Sequence, residues 1–262
     1  MSPVGSTVQV MTWNVQNASM FRAQNQLGWL RRVAPDVVVL TEVSAGPTGD
    51  RMARDLTDAG YSIQLPDPAP GADRYRVLLA ARGFLTPVDT GLTVMPHRLT
   101  AARVLHADGG EFVVAGLYVP SRGPAEHRNV AKREFQQAVT DLLPKLAQQA
   151  SATVPCIVTG DLNVVEPNHV PRYSVYRAWE YDFYRSFAAS GFVDTYRLQS
   201  PHRVEHSWYG RPAKDGSRNG YRFDHCFVTA EHRDLVHACT YQHRPRQNEL
   251  SDHSALTLTI RI

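Results

Sequence analysis

The sequence predicts an α/β layered fold, with sheets in the middle and helices outside. Short runs of β-branched and other apolar residues recur along the chain, and segments with helical spacing lie between them. Strands alternating with helices bury their apolar faces as layers around one core. In addition, each apolar run ends or begins in a polar residue, so a ring of polar groups is expected at the strand ends.

The runs cover residues 8–13, closed by Asn14, and residues 37–40, closed by Thr41 and Glu42. Residues 112–117 are closed by Tyr118, and residues 156–159 by Gly160-Asp161-Leu162-Asn163. Residues 223–228 carry Asp224 at their start, and residues 255–260 follow Ser251-Asp252-His253. Continuous apolar runs of this kind suit strands buried on both faces. Helical spacing over residues 24–33 places Leu27, Leu30 and Val33 on one face. Over residues 130–146 it groups Val130, Phe135, Val139, Leu142, Leu143 and Leu146, with Pro144 expected to distort the last turn. Residues 181–190 form a shorter helical candidate, and the Pro/Gly-dense residues 65–73 a surface loop.

The chain has 262 residues, 43% hydrophobic and 20% charged, without repeats or long linkers. A single soluble domain over residues 1–262, acting as a monomer, is the expectation. No apolar run approaches the roughly 20 residues needed to cross a bilayer. The short neutral N-terminus, Met1 to Thr7, does not read as a signal peptide. Cys156, Cys226 and Cys239 are odd in number and lack CxxC spacing, so neither a disulfide framework nor a structural zinc site is expected. Buried thiols in a reducing cytoplasm fit that pattern. The net charge of +3 excludes little but suits a polyanionic partner.

Glu42, Asp161, Asp224 and Asp252 adjoin apolar runs, where an unpaired charge is costly. With Asn14, Asn163 and His253 at equivalent positions, they make an oxygen-rich set suited to a hard cation, Mg²⁺ or Mn²⁺. Of the other histidines, His169, His202, His206, His225, His232, His237 and His243 show no compact ligand spacing. His225 should point away from Asp224 by strand alternation.

Trp-Asn-Val at 13–15, Glu42, Tyr-Val-Pro at 118–120, Gly-Asp-Leu-Asn at 160–163, Arg-Phe-Asp-His at 222–225 and Ser-Asp-His at 251–253 occur in an order that resembles the endonuclease/exonuclease/phosphatase superfamily. The resemblance implies a four-layer α/β sandwich, two face-to-face mixed β-sheets flanked by helices. It places Asn14, Glu42 and Asp252 around a divalent metal and gives Asp161 the attacking water. Asn163 would orient the water and the phosphate, and Tyr118 would contact the phosphate or the leaving oxygen. His253, oriented by Asp224, would bond a non-bridging phosphate oxygen.

The segment from Glu180 to Thr229 resembles the exonuclease III and apurinic/apyrimidinic endonuclease branch. In that branch the positions of Trp208, Tyr221 and Phe223 form a pocket for a base-free sugar flipped from DNA. Arg122, Arg128, Lys132 and Arg133 could supply backbone phosphate contacts, and Arg211, Lys214 and Arg218 could grip a duplex. The leading expectation is therefore a DNA nuclease acting on a duplex with an abasic site or a 3′ end. Gln16, Thr41 and Ser121 depart from the branch pattern. They motivate an alternative substrate: a nucleotide, a lipid headgroup or a small phosphorylated metabolite.

Overall fold

A computed structural model describes residues 6–69, 74–123 and 125–262. The N-terminal stretch and the 65–73 loop therefore lie partly outside the described residues. The chain begins with strand β1 (Thr7–Asn14), helix α1 (Met20–Val33), strand β2 (Val37–Ser44) and helix α2 (Pro47–Asp58). Strands β3 (Ser62–Gln64), β4 (Tyr75–Ala81), β5 (Phe84–Pro87), β6 (Leu99–Leu105) and β7 (Glu111–Tyr118) follow. Next come helix α3 (Glu126–Ala147), strand β8 (Cys156–Asp161), helix α4 (Ala178–Ala189), strand β9 (Phe192–Asp194) and helix α5 (Thr195–Gln199). A hairpin of β10 (Trp208–Tyr209) and β11 (Gly220–Tyr221) leads to β12 (Asp224–Thr229) and β13 (Val236–Gln242). Helix α6 (Arg244–Gln247) and strand β14 (Ala255–Arg261) complete the chain.

Among the described residues these strands form two six-stranded mixed sheets, in the orders β13-β14-β1-β2-β4-β3 and β5-β6-β7-β8-β12-β9. Pairs β1–β2 and β7–β8 are parallel, and the other pairs are antiparallel. Period-2 alternation explains how the sheets pack. Val8, Val10, Val37 and Val39 of the first sheet join Phe112, Val114, Ile157 and Val228 of the second in one buried cluster. The intervening residues turn outward: Met11, Trp13, Val38 and Leu40 meet Leu27 and Leu30 of α1 and Met52 and Leu56 of α2. Val113, Ala115 and Val158 meet Phe135 and Val139 of α3 and Phe183 and Phe187 of α4. The result is the four-layer α/β sandwich. Gly116 of β7 faces the first sheet closely: a Cβ there would lie 2.7 Å from Val39 Cγ1 and 2.9 Å from Val77 Cγ1.

The structure corrects several sequence expectations. Strands β4, β6 and β13 and helix α2 were not anticipated from the pattern. Val130 is 41% exposed rather than on the apolar face of α3, because that face begins at Phe135. Pro144 lies inside α3, and the helix continues past it to Ala147. The cysteine expectation holds, for Cys156, Cys226 and Cys239 are free and buried.

Candidate active site

The inward-facing positions of β1, β2, β7, β8 and β12 are apolar at mid-strand and polar at one shared end of the sheets. Asn14 continues the register of Val8 and Val10, Tyr118 that of Phe112 and Val114, Asp161 that of Ile157, and Asp224 that of Cys226 and Val228. Backbone pairing sets Asp161 opposite both Tyr118 and Asp224. Glu42 would face the helices under strict alternation, as Leu40 does. A register shift between Leu40 and Val43 inserts an extra residue, and Glu42 takes a left-handed conformation with φ 55°. That bulge turns its carboxylate into the site, a common use of bulges near reactive centres. Asn163 is also left-handed, with φ 47°. Two such non-glycine residues at one site each cost about 1–3 kcal/mol unless held by their surroundings.

Those surroundings are a connected set of hydrogen bonds. Asn14 Nδ2 donates to Glu42 Oε1 at 3.1 Å and to Asp161 Oδ2 at 2.9 Å. Tyr118 Oη donates to Glu42 Oε1 at 2.7 Å. Asn163 N donates to Asp161 Oδ1 at 2.8 Å, and its side-chain amide donates to Val119 O at 3.0 Å. His253 Nδ1 pairs with Asp224 Oδ2 at 2.8 Å, leaving Nε2 free to serve the cleft. Ser251 Oγ donates to Asn14 O at 2.6 Å and accepts His253 N, which ties the last loop to β1. Ser207 Oγ receives both Phe223 N and Asp224 N, a contact that no sequence signal disclosed.

Burial shapes the charges. Burial raises the Asp161 carboxyl well above the usual carboxylate range and the nearby Asp224 charge adds to it, while His253 and the Asn14 amide oppose it. Burial opposes charge on His253, but Asp224 beside it outweighs burial and raises its pKa, favouring the imidazolium. Burial and then the Glu42 charge push the Tyr118 phenol well up, so it stays a donor. The site therefore holds a carboxylate poised to accept a proton and an imidazolium able to donate one.

The residues present suit a hard divalent cation. Asp252 Oδ2 is held by Trp208 Nε1 at 2.8 Å, while Asp252 Oδ1 is buried without a hydrogen-bond partner. Glu42 and Asp252 line the same cleft. Asn14 Oδ1 accepts Gln16 N at 2.8 Å, and a carbonyl oxygen keeps a second lone pair. Donor atoms of Asp161, Asp224 and His253 also lie within 4.8 Å of one another. Because Asp224 and His253 already bond each other, that trio reads better as an acid–imidazole pair beside Asp161 than as a metal cage.

Trp208, Tyr221 and Phe223 come together as one wall of this cleft, about 740 Å³ in volume. Trp208 pairs with Tyr221 across the hairpin and bridges to His253. Phe223 stacks on Trp208 at 5.6 Å and on Tyr221 at 5.1 Å. Tyr176, missed in the sequence, packs edge-on against Phe223 and closes the wall. Arg122 also lines the cleft, with Nη1 bonded to Glu180 Oε2 at 2.9 Å.

Lys132 does not reach the cleft, contrary to the expected phosphate contact. It is fully buried, donating to Glu180 Oε1 at 2.7 Å and to Asn163 O at 2.8 Å. Glu180, 48 residues away, captures the ammonium and turns it into a support for the Asn163 backbone. Arg218 is exposed and lines a separate hollow that shares Asp252 with the cleft. His225 is buried on the helix side, as alternation required, with Nε2 against Val164 O.

A bulged sandwich that ends in buried acids, an acid-paired histidine and an aromatic-walled cleft defines a phosphoric ester hydrolase. Residues 11–253 match the model of the Endonuclease/Exonuclease/phosphatase family, and the chain belongs to that family. Among solved structures it is similar to an AP endonuclease from Archaeoglobus fulgidus (TM-score 0.77, 22% identity, covering 97% of this chain and 100% of that one). It is also similar to a 3′-5′ exonuclease from Neisseria meningitidis (TM-score 0.77, 20% identity, 97% and 100% covered). An AP endonuclease from Leishmania major matches too (TM-score 0.76, 18% identity, 100% and 90% covered). No helix among the described residues is long and apolar enough to cross a membrane.

Proposed function

We propose that this chain is a divalent-metal-dependent DNA nuclease of the exonuclease III and abasic-site endonuclease type. The observation that carries the reading is the wall of Trp208, Tyr221 and Phe223 abutting His253. A stacked aromatic surface beside a phosphate-cleaving centre suits a sugar displaced from a duplex, with an intact base rejected on size. The structures it is similar to include enzymes described as AP endonucleases, as a 3′-5′ exonuclease, and as a 3′ phosphatase bound to a product DNA hairpin, which supports the same substrate class.

Glu42 and Asp252, with the Asn14 oxygen, would hold Mg²⁺ or Mn²⁺. When bound, the cation supplies charge stabilisation to the phosphate oxygens. Asp161 accepts the proton of the attacking water, and Asn163, fixed by Val119 O and Lys132, orients the water and the phosphate. The His253 imidazolium donates to a non-bridging oxygen as negative charge builds there, with its orientation set by Asp224. Tyr118 remains protonated and presents its hydroxyl at the same end.

A substrate panel tests the reading: an abasic duplex, a duplex with a recessed 3′ end, and small phosphate esters, each with Mg²⁺ and with EDTA. Metal-dependent cutting of either duplex supports the DNA assignment. Turnover of small esters with both duplexes left intact moves the substrate to a nucleotide, a lipid headgroup or a phosphorylated metabolite.

A further inference from the structure

A second hollow, about 460 Å³, shares Asp252 with the catalytic cleft. It draws Arg22 from α1, Arg218 from the loop joining β10 and β11, and Arg246 from α6. These residues come from three distant parts of the sequence. We propose that this hollow is an anion subsite that holds the neighbouring phosphate of a polynucleotide strand whose scissile phosphate lies at Asp161 and His253.

Several arginines elsewhere in the chain are neutralised by carboxylates, whereas these three converge on one hollow without such a partner among the described residues. Arg76 pairs with Asp50 and Asp67, Arg122 with Glu180, and Arg197 and Arg222 with Glu166. Among the described residues none of the three guanidiniums in the hollow forms an ion pair. Each is anchored by a neutral protein oxygen instead. Arg22 Nη2 bonds Gln16 O, Arg218 bonds Gly210 O and Tyr209 O, and Arg246 Nε bonds Ser254 Oγ at 3.1 Å. The Arg246 guanidinium also lies over the Tyr209 ring, 4.5 Å from its centroid. Such anchoring fixes a guanidinium without neutralising it, which leaves its charge and remaining N–H groups for a phosphate. Glu249 and Asp252 also border the hollow, so the arginines offset acidic charge there as well. Asp252, held by Trp208 Nε1, borders both hollows, so a strand that passes from one to the other would set one phosphate in each.

The proposal rests on the nuclease reading and is tested by binding rather than turnover. Asp161→Asn protein in EDTA is titrated with a fluorescent duplex carrying a recessed 3′ end, over a range of salt concentrations. In that background, Arg22→Gln and Arg246→Gln should each weaken binding by about tenfold. Each should also reduce the slope of log affinity against log salt by about 0.9, the signature of one lost phosphate contact. Arg246→Lys should restore the slope. Arg218→Gln, at a solvent-exposed position, gives the same readout if either first variant fails to fold. Unchanged affinity and slope in folded variants overturn the subsite while leaving the nuclease reading intact. Absence of salt-dependent binding by the parent protein overturns both.

Discussion

Asp224 Oδ2 and His253 Nδ1 meet at 2.8 Å in a buried contact, and Asp224 Oδ1 has no hydrogen-bond partner. The carboxylate is thus committed to the imidazole, holding its orientation and its proton. Asp224→Asn keeps the shape but removes the charge. We expect kcat to fall by roughly two to four orders of magnitude with the melting temperature little changed. Steady-state kinetics on the cleaved duplex check this, and near-normal kcat would show that the reaction does not depend on the Asp224 charge behind His253.

Trp208 is expected to serve two purposes: its ring faces the cleft and its Nε1–H positions Asp252. Trp208→Phe keeps an aromatic face but frees the carboxylate. The Mg²⁺ concentration for half-maximal activity should rise by about 10–100-fold, the usual cost of losing a partner behind a metal ligand. Metal titration of activity reads this directly, and an unchanged midpoint would count against Asp252 as a ligand.

Lys132 and Glu180 are an enclosed ion pair, and removing the ammonium leaves the buried carboxylate with Arg122, a partly exposed side chain, as its remaining counter-charge. Lys132→Met should destabilise the protein by about 3–5 kcal/mol in urea unfolding. Because the ammonium also holds Asn163 O, kcat of the remaining folded protein should drop more than KM rises. Equal stability with and without the ammonium would deny it a structural role.

Acid stability should reside in the cluster of Glu166, Asp194, Arg197 and Arg222. Burial would raise the Glu166 carboxyl, but hydrogen bonds from Arg197 and the charge of Arg222 outweigh it and lower it to about 2. Asp194 is pulled down as well, by Arg222 and His225 against its burial. A carboxylate depressed in the folded state contributes stability above its unfolded pKa of about 4.5 and loses it as pH falls toward 2. The stability gap between wild type and Glu166→Gln should therefore be widest at neutral pH and narrow below pH of about 4.5. Urea unfolding at stepped pH would show a constant gap if this linkage were absent.

The strand ends were legible because burial of both faces makes inward runs continuously apolar, so a polar residue in the same register stands out. Asn14, Asp161 and Asp224 were visible in this way. The rotation of Glu42 was not, since a bulge depends on its partner strand β4, which the pattern did not disclose. Lys132 was misplaced for a related reason: helical spacing shows a face but not what packs on it, and Glu180 lies on another helix. Arg22 and Arg246 were not singled out, because tertiary folding alone brings them to Arg218.

Asp161 is proposed to accept the proton of the water that breaks a DNA phosphodiester. Single-turnover cleavage of an abasic duplex, at saturating Mg²⁺ and protein, compares wild type with Asp161→Asn. The Asp161→Asn rate should be lower by about two to four orders of magnitude with duplex affinity retained, as expected for a lost general base. Cleavage by Asp161→Asn at a rate close to wild type would contradict it.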